Sequence, residues 1–454
     1  MDNLTQQPRP KWGSSLGFVL AAAGSAIGLG NIWKFPFITG MNGGGSFVLL
    51  YFLSIVTVGI PILLAELYIG KMGQANPVRC FDKLKGHKTL WNFTGGLGIL
   101  AAFVILSYYC VLGGWILDFE YRALFNEFHN LSDLEIKEQL SKLLQDPARQ
   151  VFFHALFLGS TMMIILGGVK SGIEKCNQFF MPGLVLLLFG LLIYTCFLPG
   201  FEKAVSFMFY PDFSKVTYHA VLEAVGHAFF TLSVGSGVML TYGSYLAKNE
   251  GTNRLLVTSF QVAVADTIFA VVAGVMIFSV VFSYGLAVDS GPALIFQTLP
   301  ILFNKMPGGY WVAVAFFMLV FFAAITSAFS LLEVVVCYVS ETFHMSRKKT
   351  TLLVTLAVFI LGLASDLSPN ILADVRIFNL HVFEFLDQLA SKIMLPTSGL
   401  LLALFFSFVL GKKAVALLFA DPTWHFYRGT FGFCIRFLAP LFIGILLLMG
   451  LGEF

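Results

Sequence analysis

Eleven apolar stretches, most of them at or beyond the roughly 20 residues a helix needs to cross a bilayer, leave this chain few ways to fold. They run over about 14–37, 43–70, 94–122, 152–169, 177–197, 218–246, 254–286, 308–342, 349–365, 382–410 and 433–451. Only 12% of the 454 residues are charged, against roughly 25% in an ordinary soluble chain, so most of the chain has to sit in lipid. There each segment must satisfy its own backbone, and helices do this. The expected fold is an all-α integral membrane protein with 11 transmembrane helices, forming a single domain over 1–454. The segment 288–306, apolar but carrying Pro292 and Pro300, is expected as a pair of short helices folded into an outer loop.

Lys and Arg set the orientation, because positive charge accumulates in cytoplasmic loops. Arg9 and Lys11, the Arg79–Lys83–Lys85 loop, Arg347–Lys348–Lys349, Lys412–Lys413 and Arg428 fall on one side. The other side carries far fewer, among them Arg122, Lys142, Lys203 and Arg376. This predicts a cytoplasmic N-terminus and, with eleven crossings, an external C-terminus. The polar start runs straight into the first span, so no cleavable leader is expected. Asn126–Gln150, rich in Glu, Lys and Leu, is expected as a short outer surface helix. The net charge of +3 points to no particular partner. Six cysteines without CxxC or Cys/His spacing read as small buried hydrophobes rather than metal ligands or disulfides.

Two spans break the apolar monotony. Span 1 carries Gly24, Ser25, Gly28, Gly30 and Asn31 at mid-depth, followed by Lys34 and Pro36. Glycines let the backbone leave helical geometry, and a broken helix strands amides and carbonyls. In a bilayer such groups persist only where they line a cavity or hold a ligand. Tight packing of a Gly-rich helix is the alternative, but it gives no reason for Asn31 and Lys34. Span 6 concentrates Thr, Ser and Gly in the same way over Thr231–Gly237. Spans 1 and 6 hold corresponding places in two five-span halves, about 14–197 and 218–410, with an extra helix at about 433–451. Paired interruptions of this kind point to an inverted 5+5 repeat with helices 1 and 6 unwound at the midplane.

Buried carboxylates add to this. Asp266 lies deep in span 7, Glu66 ends an apolar run in span 2, and Glu333 lies midway along span 8. An intramembrane carboxylate costs at least ~2.5 kcal/mol at the bilayer centre and is a functional candidate. Asp266 suits a cation, and Glu66 suits a cap for the stranded amides of a broken helix. Thr326 and Ser327 bring hydroxyl oxygens into span 8. Hard cations prefer such oxygen donors. No nucleotide-binding loop is present, so the reading is transport driven by an ion gradient. No Ser/His or Cys/His pair suggests an enzyme.

The motifs GSAIGLGNIWKFP (24–36), NGGGSF (42–47), GIPILLAELYIG (59–70), FFTLSVGSG (229–237) and FFAAITS (321–327), with Tyr108–Tyr109 ahead of Trp115, resemble those of the neurotransmitter:sodium symporter family, in particular its bacterial eleven-span amino-acid transporters. The resemblance implies two sodium sites. One uses the Ala26 carbonyl, Asn31, Thr231 and Asp266. The other uses carbonyls of Gly24, Ile27 and Ala323 with the hydroxyls of Thr326 and Ser327. It also implies that a substrate carboxylate meets the amides of Leu29 and Gly30 and the Tyr109 hydroxyl, as freed helix N-termini attract anions. The substrate ammonium would meet carbonyls of Ala26, Phe230, Thr231 and Ser233. Ile105, Phe230, Ser233, Ser236, Ser327 and Leu331 would surround the side chain. Phe230 would close the pocket from outside, and Arg9 with Glu341 would form the inner gate. Gly172 and Pro182 match a Gly-x9-Pro weak point at the inner end of span 5.

The sequence departs from the family pattern in four places. Asp266 replaces a common Asn, and Ala270 stands one turn later, which implies chloride independence. Ser236 replaces a bulkier Phe. The outer-gate cation is Lys34, whose usual acidic partner maps onto Ala390, with Asp387 one turn earlier as a possible substitute. Lys392 lies near the outer vestibule and is expected to snorkel to the surface. Gly24 is taken as the position from which amine carriers extend an Asp, so the expected substrate keeps its own carboxylate. These features imply a sodium-coupled importer of a neutral, hydrophobic L-amino acid, with a leaning towards aromatic side chains, working by alternating access in the bacterial cytoplasmic membrane. The expected partners are thus the amino acid, sodium and lipid, with no nucleic acid. A non-transporting amino-acid receptor on the same fold is the alternative.

Overall fold

The computed structural model describes residues 9–86, 90–248, 251–285 and 294–452. Among them, nine helices are long and apolar enough to cross a membrane: Gly45–Gly73, Asn92–Leu124, Pro147–Leu166, Val169–Thr195, Asn253–Ser283, Gly309–Phe343, Arg347–Asp366, Val382–Leu418 and Pro422–Gly452. They correspond to spans 2–5 and 7–11. Span 1 makes ten as a bent pair, its two halves turned 48° apart. Span 6 is also in two pieces, Tyr218–Thr231 and Val238–Ser244, each too short to cross alone.

Both interruptions fall where the glycines are. The first half of span 1, Ser15–Ala26, is capped by the Ser14 side chain and ends at Ile27, whose backbone is extended. The chain resumes as a wide π-turn over Gly30–Lys34 and continues as Phe35–Met41. In span 6 the break covers Leu232–Gly237, and three of its residues take left-handed φ: Ser233 at 53°, Gly235 at 83° and Gly237 at 75°. Gly tolerates this region at no steric cost. Ser233 does not, and a strained residue persists only where its surroundings hold it.

Some limits differ from expectation. Span 4 begins at Pro147 rather than 152, because the Asp146 side chain caps the Arg149 amide and Pro147 sits at the first helical position, where its missing N–H costs nothing. Span 5 begins at Val169, directly after Gly168 in a left-handed turn. The surface helix between spans 3 and 4 is Asp133–Gln145, opened by a capping box of Ser132 and Glu135. The Ser132 hydroxyl and amide hold the Glu135 carboxyl below its usual range. Within 288–306 one short helix is seen, a π-turn Leu294–Thr298 running into Leu299–Lys305. The rest of the expected pair, over 288–293, lies outside the described residues. A two-stranded hairpin, Arg376–Ile377 with Leu380–His381, was not expected in the loop before span 10.

Small residues let the spans approach closely, as membrane helices require when lipid offers no hydrophobic drive. Spans 2 and 6 meet through Gly70 and Gly243. A Cβ on Gly70 would lie 2.0 Å from the Leu240 carbonyl oxygen, and one on Gly243 would lie 2.5 Å from that of Leu67. On Gly96 of span 3 a Cβ would meet nothing within 4 Å. Gly70→Ala is therefore expected to destabilise by about 1–3 kcal/mol, the usual cost of overpacking. Gly96→Ala should leave stability unchanged or slightly raised. Thermal unfolding of the two variants in detergent checks the contrast.

Candidate functional site

Asp266 of span 7 is fully buried, and side chains of three other spans gather around its carboxylate. Its Oδ1 accepts from Asn31 Nδ2 of span 1 at 2.8 Å and from Thr231 Oγ1 of span 6 at 2.8 Å. Its Oδ2 accepts from the Tyr51 hydroxyl of span 2 at 2.8 Å. Asn31 Oδ1 in turn accepts from the Gly28 amide at 3.1 Å and from Thr231 Oγ1 at 3.3 Å. The polar side chains expected at the first sodium site thus converge. Their oxygens form a compact anionic set that fits a hard monovalent cation. No cluster of three or more His, Cys, Asp or Glu exists among the described residues, and hydroxyl, amide and carboxylate oxygens do not favour soft metals. Tyr51 was not foreseen. Its only signal was a phenol within the apolar run of span 2.

Glu66 does what its place in span 2 suggested. Its Oε1 accepts from the Gly235 amide within the break of span 6. A main-chain donor stranded by the interruption is thereby satisfied.

The second oxygen set is only partly assembled. Ser327 Oγ donates to the Ser25 carbonyl of span 1 at 3.2 Å. Thr326 Oγ1 donates to Phe322 and Ala323 carbonyls of its own helix at 3.1 and 3.0 Å. Gly24 packs against span 5, where a Cβ would lie 2.3 Å from Asn177 Oδ1 and 3.1 Å from Met181 Sδ. Asn177 was not foreseen; it is fully buried and its Oδ1 has no hydrogen-bond partner among the described residues.

Between the two breaks lies a narrow cavity of about 50 Å³. All eleven expected substrate residues line it: Ala26, Leu29, Gly30, Ile105, Tyr109, Phe230, Thr231, Ser233, Ser236, Ser327 and Leu331. Ser25, Gly28, Val234 and Leu395 join them. The lining contains no charged side chain. The Tyr109 hydroxyl is buried beside Ser327 and the Leu29 backbone, and it lies 3.5 Å from where a Cβ on Gly28 would stand. This corrects the assignment of Gly24. Gly28, not Gly24, borders the cavity, so a side chain entering it from mid-span 1 would start at Gly28. Neither position carries a carboxylate.

The end of the molecule that carries Arg9, expected to face inward, is closed by ion pairs. Arg9 meets Glu341 at 2.5 Å and donates to Ser244 Oγ at 2.7 Å. Glu341 also accepts from the Asn76 amide at 2.9 Å. Deeper, the fully buried Glu333 pairs with Arg347 and accepts from the Tyr245 hydroxyl at 2.7 Å. This accounts for a carboxylate that the sequence left without a partner. At the inner end of span 5, Glu174 accepts from Gly13 N at 2.7 Å and Ser14 Oγ at 2.6 Å, tying the weak-point segment to the start of span 1.

The opposite end, expected to face outward, is built differently. Lys34 Nζ lies 4.7 Å from the centre of the Phe230 ring. Lys34 pairs with no carboxylate among the described residues, so Asp387 does not take the role suggested for it. Lys392, half-buried, reaches Gln388 Oε1 at 3.4 Å and shares with Lys34 and Phe230 an outer cavity of about 270 Å³.

Two interrupted helices around one uncharged cavity, with an anionic oxygen set beside it, define an ion-coupled membrane transporter. The chain belongs to the Sodium:neurotransmitter symporter family, whose sequence profile matches residues 9–133 and 125–454. It is 34% identical over 453 residues to the uncharacterized sodium-dependent transporter YhdH of Bacillus subtilis, covering 99% of both chains. It is 31% identical to a sodium-dependent transporter of Methanocaldococcus jannaschii, covering 88% of this chain and 81% of that one. The crystal structure of MhsT in complex with L-phenylalanine superposes with a TM-score of 0.89 at 39% identity, covering 97% of this chain and 100% of that one.

A hydrogen bond to a charged group contributes about 1.5–3 kcal/mol, and about 1.4 kcal/mol is tenfold in affinity. Tyr51→Phe is therefore expected to raise the sodium concentration for half-maximal uptake on the order of tenfold. Sodium titration of uptake in proteoliposomes measures it.

Proposed function

We propose that this symporter imports a neutral, hydrophobic L-amino acid, with a leaning towards aromatic side chains, together with sodium bound at two sites. The observation that carries the reading is the cavity itself. The freed backbone of spans 1 and 6 borders it, apolar and small side chains fill the rest, and Asp266 stands behind Asn31 and Thr231. A zwitterion then finds amides of Leu29 and Gly30 for its carboxylate and carbonyls of span 6 for its ammonium. A charged side chain would find no counter-charge. The similarity to MhsT, solved with L-phenylalanine, supports the same reading.

In this scheme span 6 is the eleventh crossing. Asn31, Thr231 and Asp266 with the Ala26 carbonyl form one sodium site, and Gly24, Ile27, Ala323, Thr326 and Ser327 form the other. The cavity of about 50 Å³ has room for a few waters rather than an amino acid, so entry requires Phe230 to move. Phe230 borders both the inner and the outer cavity, which suits a door. Lys34 over its ring holds the door by cation–π attraction, about 0.5–2 kcal/mol, weak enough to open in each cycle. Opening to the other side breaks the Arg9–Glu341 contact and loosens span 5 between Gly172 and Pro182. Sodium orders the breaks before the amino acid binds, and this coupling is reciprocal. The N-terminus faces the cytoplasm of a bacterial cell and the C-terminus the outside.

Uptake of labelled leucine, phenylalanine or tryptophan into proteoliposomes with an inward sodium gradient tests the function. Accumulation is expected with sodium and not with potassium. Saturable binding without accumulation would favour a receptor instead. Asp266 supplies a fixed negative charge beside the first site, and Ala270 leaves no hydroxyl one turn on. Replacing chloride by gluconate is therefore expected to leave the initial uptake rate unchanged, and a steep loss would reject this part.

A further inference from the structure

We propose that the ends of spans 10 and 11 form a binding site for the headgroup of an anionic phospholipid. A groove of about 660 Å³ lies between the terminal turns of span 10 and the first turns of span 11. Lys412, Arg428 and Arg436 line it with His425, and no carboxylate does. None of these three cations has a carboxylate within 4 Å among the described residues. The acid nearest in sequence, Asp421, is engaged with the Thr423 amide at 2.9 Å and with Asn253.

The groove is built, not a chance gathering of solvated charges. Arg428, Gly432 and Arg436 follow at four-residue steps and so share one helix face. Gly411, Gly429 and Gly432 also line it, and at each an added Cβ would meet nothing within 4 Å. These glycines therefore leave open volume, whereas Gly70 serves close packing. Arg436 is held over the Phe408 and Phe437 rings at 5.0 and 5.8 Å. Phe408, Phe433 and Phe437 are each more than half exposed. Guanidinium groups match phosphate oxygens in bidentate geometry, and the exposed rings offer a wall for acyl chains. Basic pockets between membrane helices on the cytoplasmic side suit anionic headgroups. An inorganic anion would use the cations but has no use for the aromatic wall.

The site rests on the orientation proposed above, which puts these ends in the inner leaflet. Lipid retention is measured without transport, so the two readings fail separately. Native mass spectrometry of the purified full chain, titrated with phosphatidylglycerol or with phosphatidylcholine of the same chains, is the test. Phosphatidylglycerol is expected to be retained at concentrations on the order of tenfold lower, undisturbed by inorganic phosphate. The double variant Arg428→Gln/Arg436→Gln should lose that preference, and Arg428→Lys/Arg436→Lys should keep most of it. Gly432→Leu, which fills the groove and removes no charge, should also weaken retention. Equal retention of the two lipids by the wild-type chain would overturn the proposal. So would displacement by inorganic phosphate, or undiminished preference in both the Gln and the Leu variants.

Discussion

One buried carboxylate ties the moving parts of this transporter together. Asp266 of span 7 receives hydrogen bonds from Asn31, Thr231 and Tyr51, which belong to spans 1, 6 and 2. A charge at that depth is costly unless it is paired and hydrogen-bonded. Three neutral donors share the burden but supply no counter-charge, and the sodium proposed for this site would complete it. The same residues flank both helix breaks. In the proposed scheme an ion at Asp266 would therefore bias the geometry of the cavity directly, with no need for a longer path through the protein.

The breaks themselves are held open by polar side chains. Glu66 takes the Gly235 amide, Asn31 takes the Gly28 amide, and Ser233 donates to the Ser25 carbonyl at 2.8 Å across the cavity. Each occupies a main-chain group that an intact helix would have used. The two ends of the molecule differ in how firmly they close. Arg9, Glu341, Asn76 and Ser244 form one inner network, and Glu333, Arg347 and Tyr245 form a second beneath it. Outside, Lys34 above Phe230 stands with no carboxylate partner among the described residues. Charge-assisted hydrogen bonds in a partly dry site hold more firmly than one cation–π contact. In the orientation proposed above, the firmer end is the cytoplasmic one.

Much of this was legible in the sequence, for identifiable reasons. Gly and Ser gathered at mid-membrane with Asn31, Lys34 and Pro36 ask for more than close packing, so the breaks at 27–29 and 232–237 were readable from the residues, whereas the cavity lining came from the family resemblance. The cap supplied by Glu66 was also readable, because a carboxylate at the end of an apolar run has few places to go, and the partner of Arg9 followed from the family resemblance. Partners distant in sequence and ordinary in type were not. Tyr51 and Asn177 are unexceptional in an apolar span, and only packing brings one to Asp266 and the other against Gly24. Gly24 and Gly28 look alike in the sequence, and only the turn of the helix decides which borders the cavity. Span 4 begins early because Asp146–Pro147 form a cap and first turn, a local signal hidden beneath the hydropathy profile. The lysine–arene contact replaced an expected ion pair because Phe230 lies within reach of Lys34.

Hydrogen–deuterium exchange of the backbone amides, followed with and without sodium and a hydrophobic amino acid, tests most directly whether the loose main-chain groups of the two breaks grip the ligands. Segments covering 24–31 and 231–237 are expected to exchange markedly more slowly with both ligands than with either alone, while the flanking helices change little. Unchanged exchange in both segments, with ligand demonstrably bound, would contradict a site built from interrupted helices.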